Sequence, residues 1–191
     1  MGWRNDQVSE RETAKIIELA VAALEVSDDF VEFGCYKGDT SLLLAEALNN
    51  SDKKLWLFDS FEGLPEKSSA DESALGVDFK KGELFVTKRE VKARFLRANL
   101  PVPVIKKAWF SELCDSDLPE RIAFSFLDGD LYESIRDSLR LVQDKMVQGG
   151  VILVHDYNNP ALPGVMRAVD EWILGKDLTV QTFESLAIIR Y

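Results

Sequence analysis

The sequence predicts an α/β fold in which helices cover a mostly parallel sheet. Short apolar runs alternate with amphipathic helical stretches from residue 9 onward, and this alternation is typical of parallel sheets. Several of the apolar runs end at a glycine or an acidic residue. The length of 191 residues corresponds to one domain that can bury a full core. We therefore predict a single domain over residues 1–191.

Five helices are predicted from apolar side chains at helical spacing. In chain order they cover residues 9–26 (within an N-terminal helical segment, 1–27), 40–48, about 88–98, about 132–147 and 163–174. Thr87 and Glu90 have the spacing of a capping box, which marks the start of the third helix. Gly149 and Gly150 are predicted to end the fourth helix, and Pro163 to begin the fifth.

Seven strands are predicted at short apolar runs that turn residues separate. They cover residues 30–33, 55–58, 102–106, 122–127, 151–154, 178–184 and 186–191. Pro103 places the third strand toward an edge of the sheet, because proline cannot donate to the strand ladder. The last two strands are predicted to form a closing hairpin or to lie side by side.

Residues 64–83 interrupt the alternation of strands and helices. Lys, Ser, Asp, Glu and Gly dominate this segment, and no hydrophobic period holds in it. Loops of this length are usually functional or mobile. We predict a mobile loop that covers a binding site at the edge of the sheet.

The overall charge excludes several classes of partner. The net charge of −10 and the pI of about 4.7 would repel nucleic acid and anionic membranes, so we expect neither as a partner. Cys35 and Cys114 do not form a disulfide framework. The chain begins without an apolar signal core and has no apolar run that could span a bilayer. We predict a soluble, cytoplasmic protein.

Acidic residues stand at the carboxyl ends of four predicted strands. Glu32 precedes Gly34, and Asp59, Asp128 and Asp156 follow their own strands directly or within two residues. Carboxyl ends of parallel strands meet at one edge, where open α/β sheets bind ligands. Like charges gather there only around a cationic or hydrogen-bonding ligand.

Residues 34–38 form a glycine-containing turn between a strand and a helix. Gly34 and Gly38 let the backbone approach a ligand closely, but the segment is neither a P-loop nor a dinucleotide fingerprint. Asp59 stands where a carboxylate binds ribose hydroxyls, so the pattern favours a nucleoside without pyrophosphate. The alternative is a tight turn that binds nothing. Glu32 either pairs with a ligand ammonium or faces solvent.

A second cluster combines two carboxylates with the only histidine of the chain. Asp128, His155 and Asp156 could offer two oxygens and an imidazole to a divalent ion, and Asp130 lies close enough to act as a base. The alternatives are structural: Asp130 caps a helix, Asp128 serves the turn, and His155 packs or faces solvent.

Three segments resemble the macrocin O-methyltransferase (TylF-like) family of S-adenosylmethionine-dependent enzymes. They are residues 59–65 (DSFEGLP), 127–134 (LDGDLYES) and 149–151 (GGV), and the likeness extends from about residue 30 to 174. The resemblance implies a Rossmann-like class I methyltransferase fold, with a seven-stranded, mostly parallel sheet, helices on both faces and an antiparallel last strand. It also implies magnesium-aided methyl transfer to a hydroxyl, often on a sugar of a natural product.

The resemblance also implies roles for individual residues. Those expected to bind the cofactor are Glu32, Gly34, Cys35, Tyr36, Gly38, Thr40, Ser41, Asp59, Ser60, Phe61, Trp109 and Asp128. Asp128 and Asp156 match metal ligands and Asp130 the general base, while His155 stands where relatives commonly carry a second acid. We therefore expect magnesium or another divalent cation, a small hydroxyl acceptor bound near the 64–83 loop, and a chain that could form a homodimer.

Three other functions fit parts of the pattern. The acceptor could be a catechol or a carboxylate, which only a substrate screen distinguishes. An NAD-dependent oxidoreductase is disfavoured because the middle glycine of the dinucleotide fingerprint is missing. A non-catalytic nucleoside-binding protein of the same fold is disfavoured by the presence of Asp128, Asp130 and Asp156.

Overall fold

The computed structural model describes residues 7–76 and 78–191. In these residues the strands are β1 Asp29–Phe33, β2 Leu55–Asp59, β3 Val104–Lys107, β4 Ile122–Leu127, β5 Met146–Val154, β6 Val180–Phe183 and β7 Leu186–Arg190. They form one seven-stranded sheet in the order β3-β2-β1-β4-β5-β7-β6. β1 to β5 pair in parallel, whereas β7 runs antiparallel to both of its neighbours. The predicted seven-stranded sheet with an antiparallel last strand is confirmed.

The helices lie on both faces of this sheet. They are α1 Glu10–Ala22, α2 Asp39–Leu48, α3 Lys88–Ala98, α4 Tyr132–Val142 and α5 Pro163–Ile173. Short 3-10 turns lie at Ala23–Glu25, Ser69–Asp71, Phe110–Glu112 and Asp115–Asp117. Thr87 and Glu90 form the predicted capping box of α3. No helix in the described ranges is long and apolar enough to cross a membrane.

Two apolar clusters, one on each face, hold the helices to the sheet. On one face Leu19, Leu42 and Phe95 from α1, α2 and α3 belong to the same cluster as Phe30 and Leu57 from the strands. On the other face the cluster joins residues of α4 and α5 to the opposite sides of the same strands: Val31, Phe33, Phe58, Leu139, Ile152, Val165 and Val169. Because the central strands are buried on both faces, their ends at one edge become fixed platforms for functional side chains.

The fourth helix and fifth strand differ from the prediction. α4 ends at Val142 rather than near residue 147, and β5 begins at Met146, so the two glycines lie inside the strand. The pairing register between β4 and β5 shifts between Ile122 and Phe124, and Gly149 has a φ of +83°. Glycine permits such a bulge. The predicted helix stop at Gly149 and Gly150 is wrong, because glycine is also typical of bulges inside strands.

Candidate active site

The site lies at the carboxyl ends of β1, β2, β4 and β5. Backbone hydrogen bonds continue past the strand ends and fix the turns against one another. Gly34 N donates to Phe58 O at 2.9 Å, Asp128 N donates to Phe33 O at 2.8 Å, and His155 N donates to Leu127 O at 3.0 Å. The residues that follow the strands are therefore positioned by the sheet itself.

Gly34 brings the glycine turn into close contact with the acidic cluster. Its φ is +83°, and a Cβ on it would lie 1.9 Å from the backbone oxygen of Asp128. Gly38 also has a positive φ and is the N-cap residue of α2, where its oxygen accepts a 3.0 Å hydrogen bond from Leu42 N. The backbone of the turn thus packs closely against the backbone of Asp128, and the surface of the turn that faces the site is open to a ligand.

Asp59 holds this turn in place. Its Oδ2 accepts hydrogen bonds from Cys35 N at 2.9 Å and from Tyr36 N at 3.3 Å, and its Oδ1 accepts one from Phe61 N at 2.7 Å. A carboxylate offers about four acceptor positions, so Asp59 retains capacity for a ligand hydroxyl. Its predicted contact with ribose stays a prediction, and the structure adds a second role that the sequence did not indicate.

Glu32 is a carboxylate buried beneath the turn. It is 1% exposed, and its Oε2 has no hydrogen-bond partner among the residues that the structure describes. Burial raises the pKa of Glu32 to about 8, and the charges of Asp128 and Asp59 contribute to the same shift. The solvent-facing alternative for Glu32 is therefore wrong. An unpaired buried carboxylate is costly, and a cationic group of a ligand would relieve that cost.

Asp128, His155 and Asp156 converge in one cluster. His155 Nδ1 lies 2.9 Å from Asp128 Oδ1 and 3.0 Å from Asp156 Oδ2, and one ligand atom from each residue lies within 4.8 Å of the others. His155 is 5% exposed. Burial opposes its protonation, but the charge of Asp128 and the hydrogen bonds that His155 donates to both aspartates raise the pKa of His155 well above its ordinary value.

This cluster fits a divalent ion on the chemistry of its donors. The two carboxylate oxygens suit magnesium or manganese, whereas the neutral imidazole nitrogen is softer and favours manganese or a transition metal. Spacings near 3 Å are also those of adjacent ligands around an ion held at roughly 2.1 Å.

Asp130 stands at the turn between β4 and α4. It is half-buried and has a φ of +60°. Burial, together with the charges of Asp128 and Asp156, raises its pKa well above the ordinary value. The alternative that Asp130 caps α4 is wrong. The N-cap residue is Leu131, and the backbone N–H of Tyr132 at the start of the helix donates to Asp71 at 2.7 Å. The side chain of Asp130 is therefore available to the site.

Two adjoining depressions form a single cleft around these residues. One, of about 490 Å³, contains Asp59, Ser60 and Trp109 in its wall, and the other, of about 510 Å³, contains Glu32, Cys35, Thr40, His155 and Asp156. Both are lined by Gly34, Tyr36, Leu84, Asp128 and Asp130. Of the predicted cofactor residues, Gly38, Ser41 and Phe61 are buried behind these walls.

The cleft also has wall residues that sequence reasoning did not select. Phe110 and Ser134 line the first depression beside Trp109 and Gly129, and the Phe110 ring packs edge-on against Phe33 at 5.2 Å. The sequence signal for Phe110 was its position directly after Trp109, because the two residues form an aromatic pair that follows β3. Ser134 is the third residue of α4 and belongs to the 127–134 motif, of which only the carboxylates are predicted to act in the site.

The 64–83 loop borders the cleft. Leu64 and Pro65 line its first depression, and Leu64 N donates to Glu83 O at 2.8 Å, which closes the base of the loop. Asp71 is buried and accepts hydrogen bonds from Tyr132 N and from both Ser68 N and Ser68 Oγ. The loop is thus attached to the start of α4 at its midpoint. Its mobility stays a prediction.

The N-terminal helix reaches the acidic cluster as well. Glu12 is 6% exposed, and its Oε2 lies 3.9 Å from His155 Nε2. We did not include Glu12 in the predicted site. The sequence nevertheless contained a signal for this residue. Glu12 continues the buried face formed by Ile16, Leu19 and Ala20, so it is an acidic residue on an apolar stripe.

Comparison with known proteins places these features in a family. Residues 11–184 match the macrocin-O-methyltransferase (TylF) family, which is most of the chain. The chain belongs to the macrocin O-methyltransferase family. The resemblance seen in its motifs is thereby confirmed.

Two curated relatives of this family show measurable identity to the chain. A tetracenomycin rhamnosyl 4'-O-methyltransferase of Streptomyces olivaceus is 32% identical over 146 residues, which are 72% of this chain and 56% of the relative. Demethyldecarbamoylnovobiocin O-methyltransferase of Streptomyces niveus is 30% identical over 155 residues, 77% of this chain and 58% of the relative. The chain therefore spans less than two thirds of the length of either relative.

Solved structures support the fold of this family member. The O-methyltransferase NovP superposes with a TM-score of 0.81 at 24% identity, over 97% of this chain and 82% of NovP. An O-methyltransferase from Bacillus cereus in complex with SAH superposes with a TM-score of 0.64 at 16% identity, over 98% of this chain and 82% of that one. At these identities the likeness establishes the class I methyltransferase fold.

Proposed function

We propose that this chain is an S-adenosylmethionine-dependent O-methyltransferase that acts, with a divalent cation, on a hydroxyl of a sugar or other small natural-product-like acceptor. One observation carries the proposal. Gly34, Tyr36, Leu84, Asp128 and Asp130 line both depressions of the cleft, so the nucleoside side and the acidic cluster open into each other. A methyl donor and a hydroxyl held in such a cleft would meet beside Asp130.

Residues of both depressions of the cleft fit S-adenosylmethionine. This cofactor supplies a methyl group that its sulfonium already activates, together with an ammonium group and a ribose. Glu32 offers a buried, unpartnered carboxylate oxygen to the ammonium, and Asp59 has acceptor capacity left for ribose hydroxyls. The backbone at Gly34, which borders both depressions, packs directly against the backbone of Asp128. Trp109 and Phe110 offer aromatic faces for adenine.

Asp130 is the proposed general base. A hydroxyl is a poor nucleophile until it loses its proton, and the Asp130 carboxylate borders both depressions, where it could accept that proton. Asp128, His155 and Asp156 would hold the divalent ion, which supplies charge that lowers the pKa of a nearby hydroxyl. The remaining task of the protein is to hold the hydroxyl oxygen in line with the methyl group, which is a problem of positioning.

A sugar or natural-product hydroxyl is favoured over the other acceptors by the names of the relatives. One relative is named for a rhamnosyl group and another for demethyldecarbamoylnovobiocin. Catechols and carboxylates are the second acceptor class in the proposal. The acidic cleft also disfavours nucleic acid, because the chain carries a net charge of −10.

The proposal is tested first by cofactor binding and then by turnover. Calorimetric titration with S-adenosylhomocysteine should give saturable binding and raise the melting temperature, whereas NADH should do neither. Methyl-transfer assays with S-adenosylmethionine on a panel of sugars, glycosides and phenols should then identify the acceptor class. Stabilisation by NADH without any effect of S-adenosylhomocysteine would overturn the proposal. Cofactor binding with no transfer to any hydroxyl would support the non-catalytic alternative.

A further inference from the structure

Glu12 is a buried carboxylate that the proposed reaction does not use directly. Its Oε1 accepts hydrogen bonds from Ser185 N at 2.9 Å and Ser185 Oγ at 2.5 Å, and its Oε2 accepts one from Ser9 N at 3.2 Å. These donors come from the start of α1 and from the β6–β7 turn. They fix the carboxylate with one oxygen toward His155, whose Nε2 lies 3.9 Å away.

His155 therefore stands between carboxylates on both sides of its ring. Nδ1 faces Asp128 and Asp156 at 2.9 and 3.0 Å, whereas Nε2 faces Glu12. A neutral imidazole carries its proton on one nitrogen only, and the other nitrogen is the one that can bind a metal. For Nδ1 to act as a ligand, the proton must lie on Nε2, next to Glu12.

We propose that Glu12 is a positioning residue for the metal site, which holds the proton of His155 on Nε2 and so presents Nδ1 to a divalent cation bound with Asp128 and Asp156. Carboxylates commonly play this part behind a metal-binding histidine, where they fix the tautomer and the orientation of the ring. The N-terminal helix is then part of the site. The inference rests on the divalent cation of the proposed function.

The substitution Glu12→Gln tests the proposal sharply. The oxygen of the glutamine side chain can still accept both hydrogen bonds from Ser185, whereas the 3.2 Å hydrogen bond from Ser9 N is lost, so most of the attachment of α1 is kept. The other position becomes an NH2 group, which donates rather than accepts and therefore disfavours a proton on Nε2. Glu12→Gln should weaken Mn²⁺ binding, measured by electron paramagnetic resonance of the free ion, by about 10- to 100-fold.

Three further variants separate positioning from general damage. Glu10→Gln on the exposed side of the same helix should leave Mn²⁺ binding unchanged. Ser185→Ala removes one hydrogen bond to Glu12 but keeps the carboxylate and the backbone hydrogen bond at position 185, so it should weaken Mn²⁺ binding less than Glu12→Gln does. In a His155→Asp background no proton on Nε2 is needed, and Glu12→Gln should no longer weaken Mn²⁺ binding.

A spectroscopic measurement reports the tautomer directly. His155 is the only histidine in the chain, so ¹⁵N-histidine labelling of the untagged protein gives two ring-nitrogen signals that need no assignment to a residue. With Mg²⁺ bound, wild type should show a protonated Nε2 and an unprotonated Nδ1. The Glu12→Gln variant at the same Mg²⁺ concentration should show the proton moving toward Nδ1.

The outcomes distinguish this inference from the proposed function. Wild-type affinity for Mn²⁺ in Glu12→Gln, or an equal loss in the His155→Asp background, would overturn the role of Glu12 and leave the metal site standing. Failure of wild type to bind Mn²⁺ at all, with S-adenosylhomocysteine binding intact, would overturn both the metal and the role of Glu12. S-adenosylhomocysteine affinity should be equal in all variants, which also confirms that each one folds.

Discussion

A methyl group on the α-carbon of Gly34 would lie 1.9 Å from the backbone oxygen of Asp128. The two residues follow neighbouring parallel strands, β1 and β4, whose pairing ends at Phe33 and Leu127. The glycine turn and the acidic cluster are thus packed backbone against backbone. The turn and the cluster therefore share one wall of the cleft.

The first prediction follows from this contact. Gly34→Ala must move the backbone of Asp128 and also adopt a φ of +83°, so we expect a loss of about 3 kcal/mol or more in the free energy of unfolding. Gly175→Ala is the matched control, because Gly175 has a φ of +75° and no atom within 4 Å of the added Cβ. It should cost about 1–2 kcal/mol from backbone conformation alone. Urea denaturation of both variants measures the difference, and equal losses would show that the contact is unimportant.

The second prediction concerns the pH dependence of stability through Glu32. Its folded pKa of about 8 exceeds the ordinary value of about 4.3, so between these values the native state holds a proton that the unfolded chain releases. The free energy of unfolding should therefore fall as pH rises through this window, by up to about 1.4 kcal/mol per pH unit. Glu32→Gln cannot ionise, so it should remove the contribution of Glu32 to that slope and be the more stable protein at pH 8.

The same substitution should weaken cofactor binding, although it stabilises the protein at pH 8. Glu32→Gln removes the carboxylate proposed to pair with the ammonium group, so S-adenosylhomocysteine should bind at least about tenfold more weakly. Glu46→Gln, on the exposed side of α2, should change neither the pH slope nor the affinity. Unfolding curves between pH 5 and 8 and calorimetry are the measurements. A Glu32→Gln variant with the wild-type slope would exclude a proton on Glu32.

Most of the fold could be predicted because the central strands are apolar on both faces and the helices have clear periodicity. The Thr87 capping box and the strands before Gly34, Asp59 and Asp128 are local signals, and local chemistry decides those boundaries. The start of β5 could not be predicted in the same way. Its bulge at Gly149 depends on the register with β4, which is a tertiary relationship.

The residues of the site could be predicted from the sequence where they follow the end of a strand. Asp128, His155 and Asp156 follow neighbouring strands, and their convergence needs only the parallel sheet. The contact of Glu12 with His155 could not be derived, because it joins residues 143 positions apart through the packing of α1. The backbone hydrogen bonds of Asp59 were also beyond a sequence argument, since they depend on the conformation of the turn.

The third prediction concerns the attachment of the 64–83 loop. Asp71→Ala leaves Tyr132 N and Ser68 N without their acceptor, which should cost about 1–3 kcal/mol locally and raise the population of the open loop. Trypsin should then cut after Lys80 or Lys81 several-fold faster than in wild type, where we still expect this loop to be cut first. Cofactor and acceptor together should slow the cleavage.

Asp78→Ala is the control for the loop. Asp78 pairs with Lys67 inside the same segment, and exposed ion pairs of this kind contribute about 0–1 kcal/mol. The rate of cleavage at Lys80 and Lys81 should therefore stay close to that of wild type. Equal rates for Asp71→Ala and wild type would show that the loop opens without releasing Asp71.

The fourth prediction separates the metal ligands from the base. Excess chelator should abolish methyl transfer and leave the affinity for S-adenosylhomocysteine nearly unchanged, because the contacts proposed for Glu32 and Asp59 with the cofactor need no ion. Asp128→Asn should act in the same way. His155→Asp should shift the preference toward magnesium, since a hard, charged oxygen replaces a neutral nitrogen.

Asp130→Asn should behave differently from all of these variants. Asn keeps the size of the side chain but cannot accept the hydroxyl proton, so turnover should fall by about a hundredfold or more, while Mn²⁺ and S-adenosylhomocysteine should bind as in wild type. Asp130→Asn should leave α4 intact, because Asp130 does not cap this helix. The N–H of Tyr132 at the start of α4 donates to Asp71 instead. Unchanged turnover in Asp130→Asn would remove Asp130 as the base. Full activity of the wild type in excess chelator would remove the metal instead, and Asp130 or His155 would then have to act as a base alone.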